Sequence, residues 1–353
     1  MSEVMAPPVA VSQATFSPKI DPLCTTTGQV IYDELNPWQQ KELSKKELTD
    51  WLEQNGHFKE AWKITACGHS FVKLMCPNGH EKYTKIHCDK EHCPTCGQKG
   101  SRLHKKRVTR ATDRLIWTPL LGYLVFTLPE EVSRSKPDLD TLKHLSKKAW
   151  DITKQYFKTP GGVIRTHLMG EQLGKFHMHI NVLFPILKAD GRGVVDPKVL
   201  ESVRADWTAF VNGFFDLKCE TTNVHYKFAT TDRQIIHKIK YVFRPIVGAF
   251  QFKTLCDDDR HYVLSLTGWH NTRWFGKLAN CQYKAFLLEK GIEPNERENK
   301  DPYMSRSCPC CGGRFRFQEI VHKDDLPTTQ LRWVDADTLV DFSIHSFLKE
   351  ISP

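Results

Sequence analysis

The 353-residue chain has no apolar run approaching the roughly 18 residues that suggest a bilayer-spanning helix, so no transmembrane segment is expected. Its first residues lack a basic stretch followed by an apolar core, which argues against a secretory signal and makes a cytoplasmic, non-membrane protein the expectation. There is no Gly-x4-Gly-Lys-Ser/Thr loop, which excludes a motor built on that phosphate cradle. Internal repeats and coiled-coil heptads are missing as well, so solenoid and long-coil architectures fall away. Residues 1–35 carry Ala-Pro-Pro, Ser and Thr with little periodicity and read as a flexible tail.

What is present suits a soluble globular chain of two or three domains: 40% hydrophobic and 26% charged residues. A net charge of +9 favours a polyanionic partner. Its distribution is more telling. Lys99, Arg102, Lys105, Lys106, Arg107 and Arg110 follow one another with no acid between them. A solvated helix face would explain this run, but its place directly after a cysteine cluster favours a phosphate-contacting helix.

The 12 cysteines, without an export signal, point to metal more than to disulfides. Cys24, Cys219, Cys256 and Cys281 are scattered and read as ordinary thiols. The rest cluster. Cys93-Pro-Thr-Cys96-Gly97 has the spelling of a zinc knuckle, in which two thiolates reach one ion and glycine lets the backbone turn beneath it. Cys76 and Cys88 are the expected completing pair, with Cys67, His69 and His80 as alternates, and the ligands suffice for two ions. The expected role is a structural Zn²⁺ that aims the basic helix at DNA. Cys308-Pro-Cys310-Cys311-Gly312 repeats the spelling with no obvious second pair nearby, apart from Cys310 and the distant Cys281.

Apolar spacing predicts helices over 37–64, 101–118, 138–158, 197–217, 232–243 and 278–290. It predicts strands over Gly122–Pro129, Gly162–Met169, Phe176–Pro185 and Val224–Phe228, with the second and third joined as a hairpin around Gly174. The implied organisation is a tail (1–35), a helical zinc-binding module (36–112), a mixed helix-and-strand domain (113–255) and a C-terminal region (256–353).

The strand Phe176-His177-Met178-His179-Ile180-Asn181-Val182 carries the chemistry. Residues two apart share a face, so His177 and His179 can grip one ion while Met178, Ile180 and Val182 pack into a core. Imidazoles suit Mn²⁺ and serve beside Mg²⁺ when water and phosphate complete the shell. Alone, such a pair reads as hydrogen-bonded structural histidines. Here His167 on the preceding strand offers a third ligand, with Glu171 in the turn as its rival. Tyr241 lies on a later helix among Lys238, Lys240 and Arg244. A tyrosine attacking a phosphodiester needs the phosphate polarised by a metal or by cations, and both are at hand.

Three ordered motifs resemble the HUH endonucleases, closest to plasmid rolling-circle replication initiators and rolling-circle insertion-sequence transposases. They are Leu124-Val-Phe-Thr-Leu-Pro129, the His177-Met-His179 strand and His237-Lys-Ile-Lys-Tyr241. The cluster ending His92-Cys93-Pro-Thr-Cys96 is similar to the zinc segment that precedes the nuclease in those transposases, and Arg273-Trp-Phe-Gly276 with Asn280 resembles a short element past their catalytic helix. The resemblance covers about residues 65 to 315. It implies an α+β fold, an antiparallel HUH nuclease sheet backed by helices. It implies His177 and His179 as metal ligands, His167 near the place of the third, and Tyr241 as a nucleophile that becomes 5′-phosphotyrosyl-linked. Its partners would be single-stranded DNA and an origin hairpin. A host polymerase would extend the free 3′-OH, and a host helicase would unwind, since the chain has no P-loop.

Some relatives carry a tyrosine or a glutamate four residues before the nucleophile, where this chain has His237. One helical turn puts it on the same face as Tyr241, as a base or as a phosphate contact. The single motif tyrosine tilts the reading to replication over transposition; Tyr226 and Tyr262 lie off motif. A non-catalytic zinc-dependent DNA-binding regulator and a water-using metal nuclease are the readings from other classes.

Overall fold

Sequence punctuation sets the order of the elements. A computed structural model describes residues 37–170, 175–186, 193–266, 269–279, 282–291, 307–308 and 310–326. The tail (1–35), Cys24, Glu171, Gly174, Asn280, Cys281 and residues 327–353 lie outside the described residues. Pro37 opens α1 (Pro37–Gln54), and Gly56, at φ 77°, turns the chain into α2 (Phe58–Ala66). One helix was expected over this span, and the glycine turn makes it two. A hairpin follows, β1 (Ser70–Met75) and β2 (Glu81–Lys85), and then the cysteine-rich loop. Ser101 caps α3 (Arg102–Leu115) by accepting the His104 backbone N–H.

Next come β3 (Leu121–Thr127), α4 (Glu130–Arg134), α5 (Leu139–Tyr156), β4 (Gly161–Met169), β5 (Phe176–Pro185), α6 (Pro197–Phe215), β6 (Val224–Ala229) and α7 (Asp232–Val242). These sit close to the spans that periodicity predicted, and β4 and β5 pair antiparallel as expected. Beyond them lie α8 (Ala249–Lys253), α9 (Asp257–Ser265), β7 (Thr272–Gly276), α10 (Tyr283–Glu289) and β8 (Arg316–His322).

The fold is α+β. Five antiparallel strands in the order β6-β3-β5-β4-β7 form the main sheet, and β2-β1-β8 form a second, three-stranded one. Strand alternation sorts the main sheet's side chains onto two faces. Met178, Ile180, Val182 and Phe184 of β5 pack with Leu142, Leu145, Ala149 and Ile152 of α5 and Val203, Trp207 and Val211 of α6. On the opposite face Leu121, Tyr123, Val163 and Leu183 pack with Val108, Ala111 and Leu115 of α3, Ile235, Ile239 and Val242 of α7, and Phe286 and Leu287 of α10. Helices therefore cover both faces, and α7 lies on the face that also carries His177 and His179.

Two described strands of the C-terminal region join sheets begun earlier in the chain. β7 pairs with β4 and completes the main sheet, while β8 pairs with β1 and completes the small one. Both pairings bring together strands that lie far apart in sequence. No described helix is long and apolar enough to cross a membrane.

Candidate functional site

Register places the polar side chains of the main sheet side by side. His167 of β4 and Thr127 of β3 both pair with His179 of β5, and Arg165 and Val125 both pair with Asn181. The rings of His167 and His179 lie 5.0 Å apart and those of His179 and His177 5.8 Å apart. His179 donates Nδ1–H to the His177 carbonyl at 2.9 Å, which leaves Nε2 unprotonated and open to a ligand. Burial holds its pKa down, to about 4, so the ring is neutral at physiological pH. His177 is exposed.

His167 does not match its expected role as third ligand. Its Nδ1 accepts from Arg244 Nε at 3.4 Å and its Nε2–H donates to the Val242 carbonyl at 2.8 Å, so both nitrogens are taken. Burial, then the charges of neighbouring groups, keeps this ring neutral too. Among the described residues, His167, His177 and His179 do not form a tight ligand group. His167 satisfies a carbonyl at the C-terminal end of α7, where helix carbonyls lack partners.

Tyr241 is on the last turn of α7. Ile235, Ile239 and Val242 bury the opposite stripe of that helix, and Tyr241 remains 38% exposed, with exposed His237 one turn earlier on its side. Its ring meets Tyr123 edge-on at 6.4 Å, and the Arg244 guanidinium sits 4.5 Å from its centre. Tyr123 donates its hydroxyl to Asn181 Oδ1 at 2.7 Å. Lys238 lies over the Tyr123 ring at 5.3 Å, and Lys240 is exposed. An open groove of about 970 Å³ beside α7 is lined by Phe228, Arg233, Gln234, His237, Lys238 and Lys240.

The backbone around Tyr241 is pinned from three elements. His104 of α3 accepts the Gly100 N–H at Nδ1 and donates Nε2–H to the Lys240 carbonyl at 3.2 Å. His167 takes the Val242 carbonyl, and Arg165 the Arg244 carbonyl at 3.0 Å. The Ile246 N–H donates to Glu91 Oε2 at 2.5 Å. Arg165 has no exposed surface, and it also binds Asn271, Thr272 and Glu91. Glu91 thus receives Arg165, Arg107 and Ile246. Burial opposes its ionisation, but Arg165 and Arg107 outweigh burial and hold the carboxyl below its usual range.

Glu91 belongs to the cysteine loop. The Sγ atoms of Cys67, Cys88, Cys93 and Cys96 all lie within 4.8 Å of one another, all are buried, and the group could hold a metal ion such as zinc. Cys67 and Cys96 are 3.3 Å apart. The Thr95 N–H donates to Cys93 Sγ, the Cys88 N–H to Cys67 Sγ, and the Gly97 N–H to the Cys93 carbonyl. Hydrogen bonds with the Cys88, Cys93 and Cys96 thiols push the Cys67 thiol below its usual range. Lys45 of α1 donates to the Thr65 and Cys67 carbonyls behind this centre.

Cys67 takes the place expected for Cys76. Six extended residues of β1 carry Cys76 roughly 20 Å along the strand. There it meets His80, Cys308 and Cys311, a second group whose ligand atoms lie within 4.8 Å of one another.

The basic helix α3 divides by face. His104, Val108, Ala111 and Leu115 are buried, while Lys105, Lys106 and Arg110 are exposed. Arg102 is half-buried. Arg107, expected at a phosphate, is turned inward to Glu91, and Arg244, expected there too, bridges Tyr241 and His167. Sequence reasoning missed Glu91, Arg165, Asn181 and Tyr123. Period two was the available signal for the strand residues: Arg165 and Asn181 sit in apolar strands, in phase with His167 and His179.

Compared with family models, with curated proteins and with solved structures, the chain matches none.

Proposed function

We propose that this chain is a metal-dependent single-strand DNA endonuclease and strand transferase of the HUH type, with Tyr241 as its nucleophile. One observation carries the reading. An exposed tyrosine, held at the end of a helix by backbone anchors on both sides, shares a sheet face with two histidines, one of which keeps a free Nε2.

Bound by His177 and His179, a divalent ion such as Mn²⁺ or Mg²⁺ would polarise the scissile phosphate. The chain's own residues do the rest. Tyr241 Oη forms a bond to phosphorus while the phosphorus–O3′ bond breaks; the hydroxyl proton is lost, and the departing oxygen takes one up. The products are a 5′-phosphotyrosyl link and a free 3′-OH. His237 stands as the proton acceptor or as a phosphate contact. Arg244 holds the Tyr241 ring, and His167 fixes the helix end and ligates nothing. Exposed Lys105, Lys106 and Arg110 supply phosphate contacts to flanking duplex, and Lys240 with Phe228 lines a path for the single strand. The single motif tyrosine favours initiation of rolling-circle replication. Transposition uses the same chemistry, and the neighbouring DNA, origin or transposon end, separates the two.

The test uses Mn²⁺, the full chain and labelled single-stranded oligonucleotides tiling the DNA around its gene, run on a denaturing gel. A protein–DNA band that survives denaturation and is lost in Tyr241→Phe is expected. Cleavage without that band, unchanged in the variant, points to a nuclease using water. Duplex binding with neither cleavage nor adduct points to a DNA-binding regulator.

A further inference from the structure

The small sheet poses a problem of stability. Among the described side chains, Ala66, Val72 and Ile86 form a small apolar cluster with Leu74 packed against it, and Phe71 is buried as well. β8 adds little: Arg316, Gln318, Glu319, Ile320 and His322 are exposed, Ile320 to 39%. Yet β8 pairs with β1 from Ser70↔His322 to Met75↔Arg316, although more than 230 residues separate them in sequence. Ordering a strand with so many exposed side chains costs conformational entropy, which a cross-link to the hairpin would help to offset.

Four metal-ligating side chains gather at one end of the ladder. The β1–β2 turn, Cys76-Pro-Asn-Gly-His80, and the turn before β8, between Cys308 and Gly313, are each closed by two backbone hydrogen bonds. In the first, the Gly79 N–H donates to the Cys76 carbonyl at 3.0 Å and the Cys76 N–H to the His80 carbonyl at 3.1 Å. In the second, the Gly312 N–H donates to the Cys308 carbonyl at 2.8 Å and the Cys308 N–H to the Gly313 carbonyl at 2.7 Å. Gly79 and Gly312 take φ of 78° and 70°, which a side chain would strain. Each turn contributes two ligands to the group. Cys76 Sγ lies 3.3 Å from His80 Nδ1 and 3.5 Å from Cys311 Sγ, and Cys308 completes the set. A tetrahedral ion with bonds of about 2.3 Å to sulfur spaces its ligands by a little under about 4 Å, which these separations meet.

We propose that Cys76, His80, Cys308 and Cys311 bind a structural zinc ion, and that this ion seats the C-terminal strand β8 on the N-terminal hairpin. The result is a three-stranded zinc-binding module assembled from the two ends of the described chain. It is independent of the Cys67, Cys88, Cys93 and Cys96 centre and of any nuclease activity.

Metal content of the full chain, purified without chelator, tests this first and needs no variant. Two zinc ions per chain are expected, one for each group. A single ion, retained in Cys308→Ser/Cys311→Ser, overturns the proposal. In that double variant one ion should be lost and one kept, and trypsin should cut within 307–326 faster than in the wild type. Loss of both ions with general unfolding would make Cys311→His the deciding variant. A Cys2His2 set that regains two ions and protease protection supports the site, and one that regains neither overturns it.

Discussion

His179 spends one ring nitrogen on its own strand and turns the other outward, a division fixed by its hydrogen bond to the His177 carbonyl. Its pKa is lowered by burial to about 4 from 6.5, as is that of His92, whose Nε2 is buried without a partner. Between those values the unfolded chain binds more protons than the folded one, so stability rises with pH across the window. It is fully present above about pH 6.5, falls as pH drops toward 4, and changes no further below 4 on account of these rings. Each ring accounts for at most about 3 kcal/mol. Urea midpoints measured from pH 4 to 7 should show this slope, and His92→Gln should flatten it; a slope unchanged in the variant would remove His92 from the account. Glu91 sets a second residue-scale expectation. Glu91→Ala leaves Arg165 buried with no carboxylate, which should destabilise by about 3–5 kcal/mol, read as a fall in melting temperature. A change below about 1 kcal/mol would contradict the buried network.

Among the elements, α7 and the cysteine loop depend on each other. Gly97 closes the Cys93–Cys96 turn so tightly that a Cβ there would lie 1.5 Å from the Glu91 carbonyl oxygen. Gly97→Ala must therefore shift the loop, and the expected outcomes are weaker zinc retention against a chelator and faster amide exchange at residues 240–246. Zinc retention equal to wild type would show that the loop yields without consequence. The elements legible in the sequence were those whose signal is local. β3, β4 and β5 show apolar runs or alternation, α5 and α6 an apolar stripe, and the His177–His179 phase follows from period two. β7 and β8 were not legible as strands of their sheets. β7 has only five residues, most of the described side chains of β8 are exposed, and each strand is defined by a partner far away in sequence. The cysteine groups were legible as metal ligands but not in their pairing, because spacing along the chain does not reveal that β1 carries Cys76 away from Cys67. His167 was misread for a related reason: its face was readable, but the Val242 carbonyl that claims its Nε2 was not.

At the scale of the molecule, two cysteine groups flank the small sheet and the cysteine loop, and a histidine–tyrosine face lies between helices on one side of the main sheet. Glu91 links the first centre to that face through Arg165 and Ile246. The account therefore separates two kinds of metal. Stripping zinc should loosen the fold and raise protease sensitivity, because the Cys67, Cys88, Cys93 and Cys96 ligands are buried and the second group joins β1 to the segment before β8. Removing Mn²⁺ should abolish cleavage and leave protease resistance unchanged, because His177 and His179 are already held by backbone and sheet. Protease resistance that tracks Mn²⁺ would reverse these assignments.

The central claim is that Tyr241 becomes covalently joined to DNA. The direct measurement is mass spectrometry of peptides from the full chain after reaction with Mn²⁺ and a single-stranded oligonucleotide that it cleaves, the DNA trimmed by nuclease to its last nucleotides. The account predicts a nucleotide-bearing peptide with the mass addition on Tyr241 and none in Tyr241→Phe. An addition on another residue, or cleavage with every tyrosine peptide unmodified, would contradict it.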